Sequence, residues 1–118
     1  MSLHLELKEQ IEAAYGDHIP AGALLKQDAL LLQFDSGLAM ELRFASPQEY
    51  VIGWLWGDAE LRIDTAPLHP ELKTQPNHLH DEEGRVRDDP LTRPGEAPWD
   101  NIRRVIDALQ TDPLLSRY

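Results

Sequence analysis

The chain has 118 residues, 42% of them hydrophobic, and a formal net charge of −10 from 11 bases against 21 acids. That length suits one domain over residues 1–118 with a single modest core. The absence of cysteine excludes disulfides, thiolate metal ligands and a cysteine nucleophile, and so acidic a surface argues against non-specific nucleic-acid binding.

The N-terminal MSLHLELKEQ has no basic region followed by an apolar run, so it does not read as a signal peptide. No apolar stretch approaches the roughly 20 residues of a membrane span. The expected location is therefore a reducing cytoplasm, with no membrane contact. Charge is uneven along the chain. Residues 1–72 hold 12 acids and 4 bases, and residues 73–118 hold 9 acids and 7 bases. The first part could face a basic protein partner or simply keep the protein in solution.

Residues 2–15 read as a helix, with Leu3, Leu7, Ile11, Ala14 and Tyr15 on one stripe. Ser2 suits its start and Gly16 its end. From Ala23 to Asp64 the apolar period falls to two. Leu30, Leu32 and Phe34 alternate with Leu31 and Gln33. After the turn signal Asp35-Ser36-Gly37, Leu38, Met40, Leu42 and Phe44 alternate with Ala39, Glu41 and Arg43. Tyr50 to Trp56 is apolar on both parities, which predicts a central strand covered on both sides. Trp54 and Trp56 are read as core rather than as a stacking platform. Gly57-Asp58 turns the chain into a strand with Leu61 and Ile63 inward.

A proline-containing run follows, and then a short hairpin. A four-residue loop Asp81-Glu82-Glu83-Gly84 would set His80 opposite Arg85, Leu79 opposite Val86 and His78 opposite Arg87. Residues 88–97 read as loop. Pro98 opens a helix whose apolar stripe is Trp99, Ile102, Val105, Ile106 and Leu109, with Arg103 and Arg104 on its polar side and Asp112-Pro113 at its end. The expected fold is α+β: an antiparallel meander of four to six strands flanked by an N-terminal and a C-terminal helix.

The candidate site lies between Asp64 and Arg87, where three of the five histidines occur as H-P-E-L-x-T-x-P-N-H-x-H. In an extended chain His78 and His80 share one face. Three readings stay open. In the first, His69, His78 and His80 with a carboxylate from Asp64, Glu71 or Asp81 hold a divalent transition metal, the one cofactor expected. In the second, His78 and His80 act as general base and acid while Arg85 and Arg87 grip a phosphate. Those four are then the catalytic candidates, with Asp64, His69 and Lys73 contacting substrate. In the third, the histidines and arginines only cap turns and pair with local carboxylates. His4 and His18 read as solvated, and Glu6, Glu9 and Glu12 as a wet helix face. There is no P-loop, G-x-S-x-G or dinucleotide fingerprint.

The run Trp54-Leu55-Trp56-Gly57-Asp58-Ala59, the strand end Asp64-Thr65-Ala66-Pro67, His69-Pro70-Glu71-Leu72 and Pro76-Asn77-His78-Leu79-His80 together resemble the TumE family. These are small bacterial proteins assigned as toxins of toxin–antitoxin modules. The resemblance covers about residues 50–110 and points to Asp64, His69, His78 and His80. It implies an antitoxin partner with a DNA-binding domain; taken with the His/Arg hairpin, it leads to the expectation of an RNA or other phosphate-bearing target, acted on by a nuclease-like hydrolase. A homodimer is the other assembly expected. Leu68 and Asn77 stand where many members carry further histidines, which thins the metal site.

Overall fold

The computed structural model describes residues 2–118. Helix α1 runs over Leu3–Tyr15, with the Ser2 hydroxyl accepting from the Leu5 N–H at 3.2 Å as its N-cap. It continues into a 3-10 turn, Gly16–His18. Seven strands follow: β1 Leu24–Lys26, β2 Ala29–Gln33, β3 Ala39–Ser46, β4 Glu49–Trp56, β5 Ala59–Asp64, β6 His78–His80 and β7 Val86–Asp88. Helix α2, Pro98–Thr111, has Pro98 in its first turn and ends at Asp112. Every strand pairs antiparallel with its neighbour in sequence, giving one sheet in the order β1 to β7. This is the expected α+β meander between two helices, with one strand more than six. The extra strand is β1. It is too short to show a period and turns at Gln27-Asp28, without the glycine or asparagine that marks most two-residue hairpins.

One face of the sheet carries the core. Leu30, Leu32, Met40, Leu42, Ile52, Trp54, Leu61, Ile63 and Leu79 form one buried cluster with Leu7 and Ile11 of α1 and with Ile102, Val105, Ile106 and Leu109 of α2. The stripes expected on both helices are therefore what they bury, except that Ala14 is exposed. Trp54 lies in this core and donates its indole N–H to the Pro113 carbonyl at 2.8 Å. Trp56 packs half-buried against the same cluster.

The opposite face corrects one expectation. β4 is central, with three strands on either side, but its second face is open: Val51 is 36% and Leu55 49% exposed. Both helices pack on the Ile52 and Trp54 side. Among the described residues no element covers Val51 and Leu55, so an apolar run on both parities does not mean cover on both faces.

The outer face is ordered by cross-strand rows. Residues opposite one another across a sheet share a face. One row runs Leu24, Leu31, Glu41, Gly53, Arg62, His80 and Val86. The next runs Arg43, Val51, Asp64, His78 and Asp88. The histidines thus lie at one end of a largely open face.

Candidate metal centre

The His-x-His pair is placed by β6, whose middle residue Leu79 is buried in the core. Because Leu79 must face inward, His78 and His80 both face outward. The β5–β6 register sets His78 opposite Asp64 and His80 opposite Arg62. Four functional side chains therefore converge through strand pairing alone. Asp64 and His78 are buried, and His80 is partly open.

The distances are short. Nε2 of His78 lies 3.0 Å from Oδ1 of Asp64 and 3.0 Å from Nε2 of His80. Nε2 of His80 is 3.4 Å from Oδ2 of Asp64. Arg62 donates from Nε to Oδ2 of Asp64 at 2.9 Å and lies with Nη2 3.0 Å from Nε2 of His80. Asp64 also accepts from the Ala66 N–H at 3.1 Å. The His69 ring stands edge-on to His78 at 4.7 Å between centroids and 6.5 Å from His80. Its Nδ1 faces Glu71 at 3.5 Å.

These partners assign the ring nitrogens. A carbonyl only accepts, so the 3.3 Å contact of Nδ1 of His78 with the Pro76 oxygen is a hydrogen bond in the tautomer that carries its proton on Nδ1. A guanidinium only donates, so Nε2 of His80 turns its lone pair toward Arg62. Nε2 of His78 then faces two acceptors, the Asp64 carboxylate and the His80 lone pair. In that tautomer the three acceptor atoms leave a place for a cation, which a metal ion bound by Asp64, His78 and His80 would fill. The three ligand atoms all lie within 4.8 Å of one another. Burial, and then the Arg62 guanidinium, hold the His80 imidazole below its ordinary pKa against the opposing pull of Asp64. A neutral imidazole is the form that ligates. The Nδ1–H of His78 bound to a main-chain carbonyl is also the outer-shell contact typical of a metal-bound histidine.

The loop over the site is tied down at its far end. Asp88 accepts from the N–H groups of Lys73 and Thr74 at 2.9 and 3.3 Å. Thr74 Oγ1 donates to the Asn77 carbonyl at 2.7 Å and accepts from the Asp89 N–H at 2.9 Å. Buried Asp89 accepts from the N–H groups of Leu91 and Thr92, from the Thr92 hydroxyl and from the side-chain amide of Asn77. Asn77 donates a second bond to the Thr92 carbonyl at 2.8 Å. This network holds the residue next to His78. Sequence reading took residues 88–97 as plain loop; the Asp-x-x-Thr spacing of Asp89 and Thr92, which suits a side chain capping its own turn, was the available signal.

The hairpin register corrects the phosphate-gripping arrangement. His80 pairs with Val86, Leu79 with Arg87 and His78 with Asp88. Asp81 and Arg85 close the turn through a main-chain bond of 2.9 Å, leaving three residues in the loop and Gly84 at φ +79°. This is the glycine-ended three-residue loop rather than a four-residue one. The Asp81 carboxylate selects it by accepting from the N–H groups of Glu83 and Arg85 at 3.0 and 2.9 Å. A one-residue slip sends every side chain to the other face. Arg85 is exposed and binds Asp81 and Glu83. Arg87 reaches the Tyr118 carbonyl at 2.8 Å. Neither joins the histidines. Lys73 is exposed, and Asp81 is spent on its turn. The residues brought together are Asp64, His78 and His80, with His69 beside them. Arg62, absent from the sequence candidates, completes the group.

Two minor assignments also change. His4 is half-buried, and its Nε2 accepts from the Phe44 N–H at 3.4 Å. Glu12 accepts from Lys8 and from the Ala23 N–H, so it fastens α1 to the following segment rather than only facing water.

No family model, curated protein or solved structure matches the chain.

Proposed function

We propose that this protein is a metal-dependent domain that binds one divalent transition ion through Asp64, His78 and His80. The observation that carries the reading is the convergence of two imidazole nitrogens and a carboxylate oxygen within 4.8 Å, all on one sheet face. Two histidines and one carboxylate form a recurrent set for zinc and for non-haem iron, and three protein ligands leave positions free for water or substrate. A bound metal would supply Lewis-acid activation of water, the basis of a hydrolytic reaction. His69 stands close enough to serve as a proton carrier beside it.

Isothermal titration of chelator-treated protein with zinc, nickel and manganese tests this. One ion per chain and a raised Tm are expected, with both lost in Asp64→Ala and His78→Ala. No stoichiometric binding and no thermal shift for any of these ions would remove the reading.

A second reading is a non-catalytic protein-binding module, favoured by the open apolar residues Leu24, Val51 and Leu55 on an acidic chain. The resemblance to the TumE family supports a further reading, a cytoplasmic toxin held by a DNA-binding antitoxin. Its test is growth arrest on expression, relieved by a co-expressed neighbouring reading frame with a helix-turn-helix pattern. Arrest that persists in His78→Ala would separate toxicity from the metal centre.

A further inference from the structure

The outer face of the sheet holds a groove of about 620 Å³ beside the metal centre. Its walls are Leu24, Leu31, Ala39, Val51 and Leu55, and its floor passes over Gly53. Gly53 lies in the middle of β4, where a side chain would otherwise stand between Glu41 and Arg62. A Cβ added there meets only the Leu61 carbonyl, at 3.8 Å. The backbone does not require glycine at this position, and its missing side chain leaves the space over β4 open to the groove.

Arg62 joins the two sites. It lines this groove and also the smaller cavity of about 310 Å³ against His80. Its side chain is 48% exposed, yet it donates to both Asp64 and His80. A metal ion on Nε2 of His80 would take the lone pair that Arg62 Nη2 now faces. That end of the guanidinium would then be left without an acceptor beside an open groove and next to a second cation.

Resting on the metal reading, we infer that the groove binds a small amphipathic monocarboxylate, its apolar body over Gly53 and its carboxylate between Arg62 and the metal. The size and apolar walls suit a small molecule with one polar head. The head is an anion because a guanidinium and a metal ion meet it there. It is a monoanion because Glu41 and Glu60 line the same groove and would repel the double charge of a phosphate. A second copy of the chain fits less well, since each carries a net charge of −10.

The test titrates the full chain, first with zinc and then, zinc-loaded, with hexanoate, 1-hexanol and inorganic phosphate, followed by calorimetry and NMR shifts. Hexanoate is expected to bind about tenfold or more tightly than either control, as a charge-assisted contact predicts. Arg62→Gln, compared at saturating zinc, should lose most of that preference for hexanoate over 1-hexanol. Gly53→Val should fill the groove and weaken hexanoate and 1-hexanol alike, with zinc binding unchanged. Failure of zinc, nickel and manganese alike to bind overturns the metal reading and this inference together. Normal zinc binding with hexanoate no tighter than 1-hexanol, with phosphate tighter than hexanoate, or with affinity unchanged in both variants overturns this inference alone. So does dimerisation through this face with hexanoate inert.

Discussion

The two faces of the sheet share strands and have opposite composition in use. On the inner face, nearly every alternate residue from Leu30 to Leu79 is buried against the helices. On the outer face, the same strands present Glu41, Arg43, Val51, Leu55 and Arg62 to solvent, and its buried polar residues include Asp64 and His78. Stability resides on the first face, and the proposed metal site lies on the second. Because alternate residues of one strand serve different faces, neighbouring substitutions should separate the two properties. The largest separation is expected at Leu42, fully buried at the centre of β3. Leu42→Ala removes a packed side chain and leaves a cavity, at a cost of about 2–5 kcal/mol. Urea unfolding measures it. Zinc affinity of the folded protein should not move, and a parallel loss would mean that the faces are coupled.

The converse change is His78→Ala. It removes one of three proposed ligands, and zinc affinity should fall by more than the roughly 100-fold of an outer-shell change. Folding should survive because the imidazole packs on Asp64, His80 and His69 rather than in the apolar cluster. Calorimetric titration, with the circular dichroism spectrum as control, checks both halves. If zinc affinity stays within threefold, ligation by His78 is wrong.

A smaller effect is expected at Asp89, which bridges the two properties. Its carboxylate accepts two N–H groups, a hydroxyl and the Asn77 amide. Asp89→Ala orphans buried donors, each costing about 1–3 kcal/mol where no water enters. It also frees the residue before His78, so zinc affinity should weaken together with stability. Equal unfolding midpoints for wild type and variant would show that water replaces the network.

Most of the fold was legible in the sequence because burial wrote a period into it. The helix stripes at Leu7 and Ile11 and at Ile102 to Leu109, and the alternation from Leu38 to Phe44, each record one buried face. The same signal misled at β4, where Val51 and Leu55 are apolar without being covered; hydropathy cannot distinguish a buried strand face from an open apolar groove. At the site, His78, His80 and Asp64 were legible as chemistry-bearing residues. Arg62 was not, since its place depends on the β5–β6 register across an irregular loop of 13 residues, Thr65 to Asn77. Arg85 and Arg87 were misplaced for a related reason. Asp81-Glu82-Glu83-Gly84 fits two loop lengths, and the choice lies in hydrogen bonds of the Asp81 side chain.

That turn has its own pH signature. Burial pushes the Asp81 carboxyl up, but the N–H groups of Arg85 and Glu83 and the Arg85 guanidinium together hold it below the ordinary carboxylate value. A depressed folded pKa stabilises fully above the unfolded value and is lost as pH falls through the folded one. Asp81→Ala should therefore lower stability at neutral pH and narrow its gap from wild type below about pH 4. Urea midpoints across that range measure it. A gap constant with pH would mean that the charged carboxylate is not what holds the turn.

The smallest expected effect tests the comparison most directly. Leu55 stands beside Trp54 on β4, but it is 49% exposed and faces the groove, while Trp54 lies in the core. Leu55→Thr keeps a residue that favours strands and removes apolar area that folding leaves in water. Its effect on stability should lie within about 0.5 kcal/mol, as for a surface position. If the outer face is a binding face, the cost appears instead in hexanoate affinity, because one wall of the groove becomes polar. A stability loss above about 1 kcal/mol would show that Leu55 is buried on folding, by another copy or by part of the same chain. The outer face would then be a second core surface, and the division between stability and chemistry would fail at its centre.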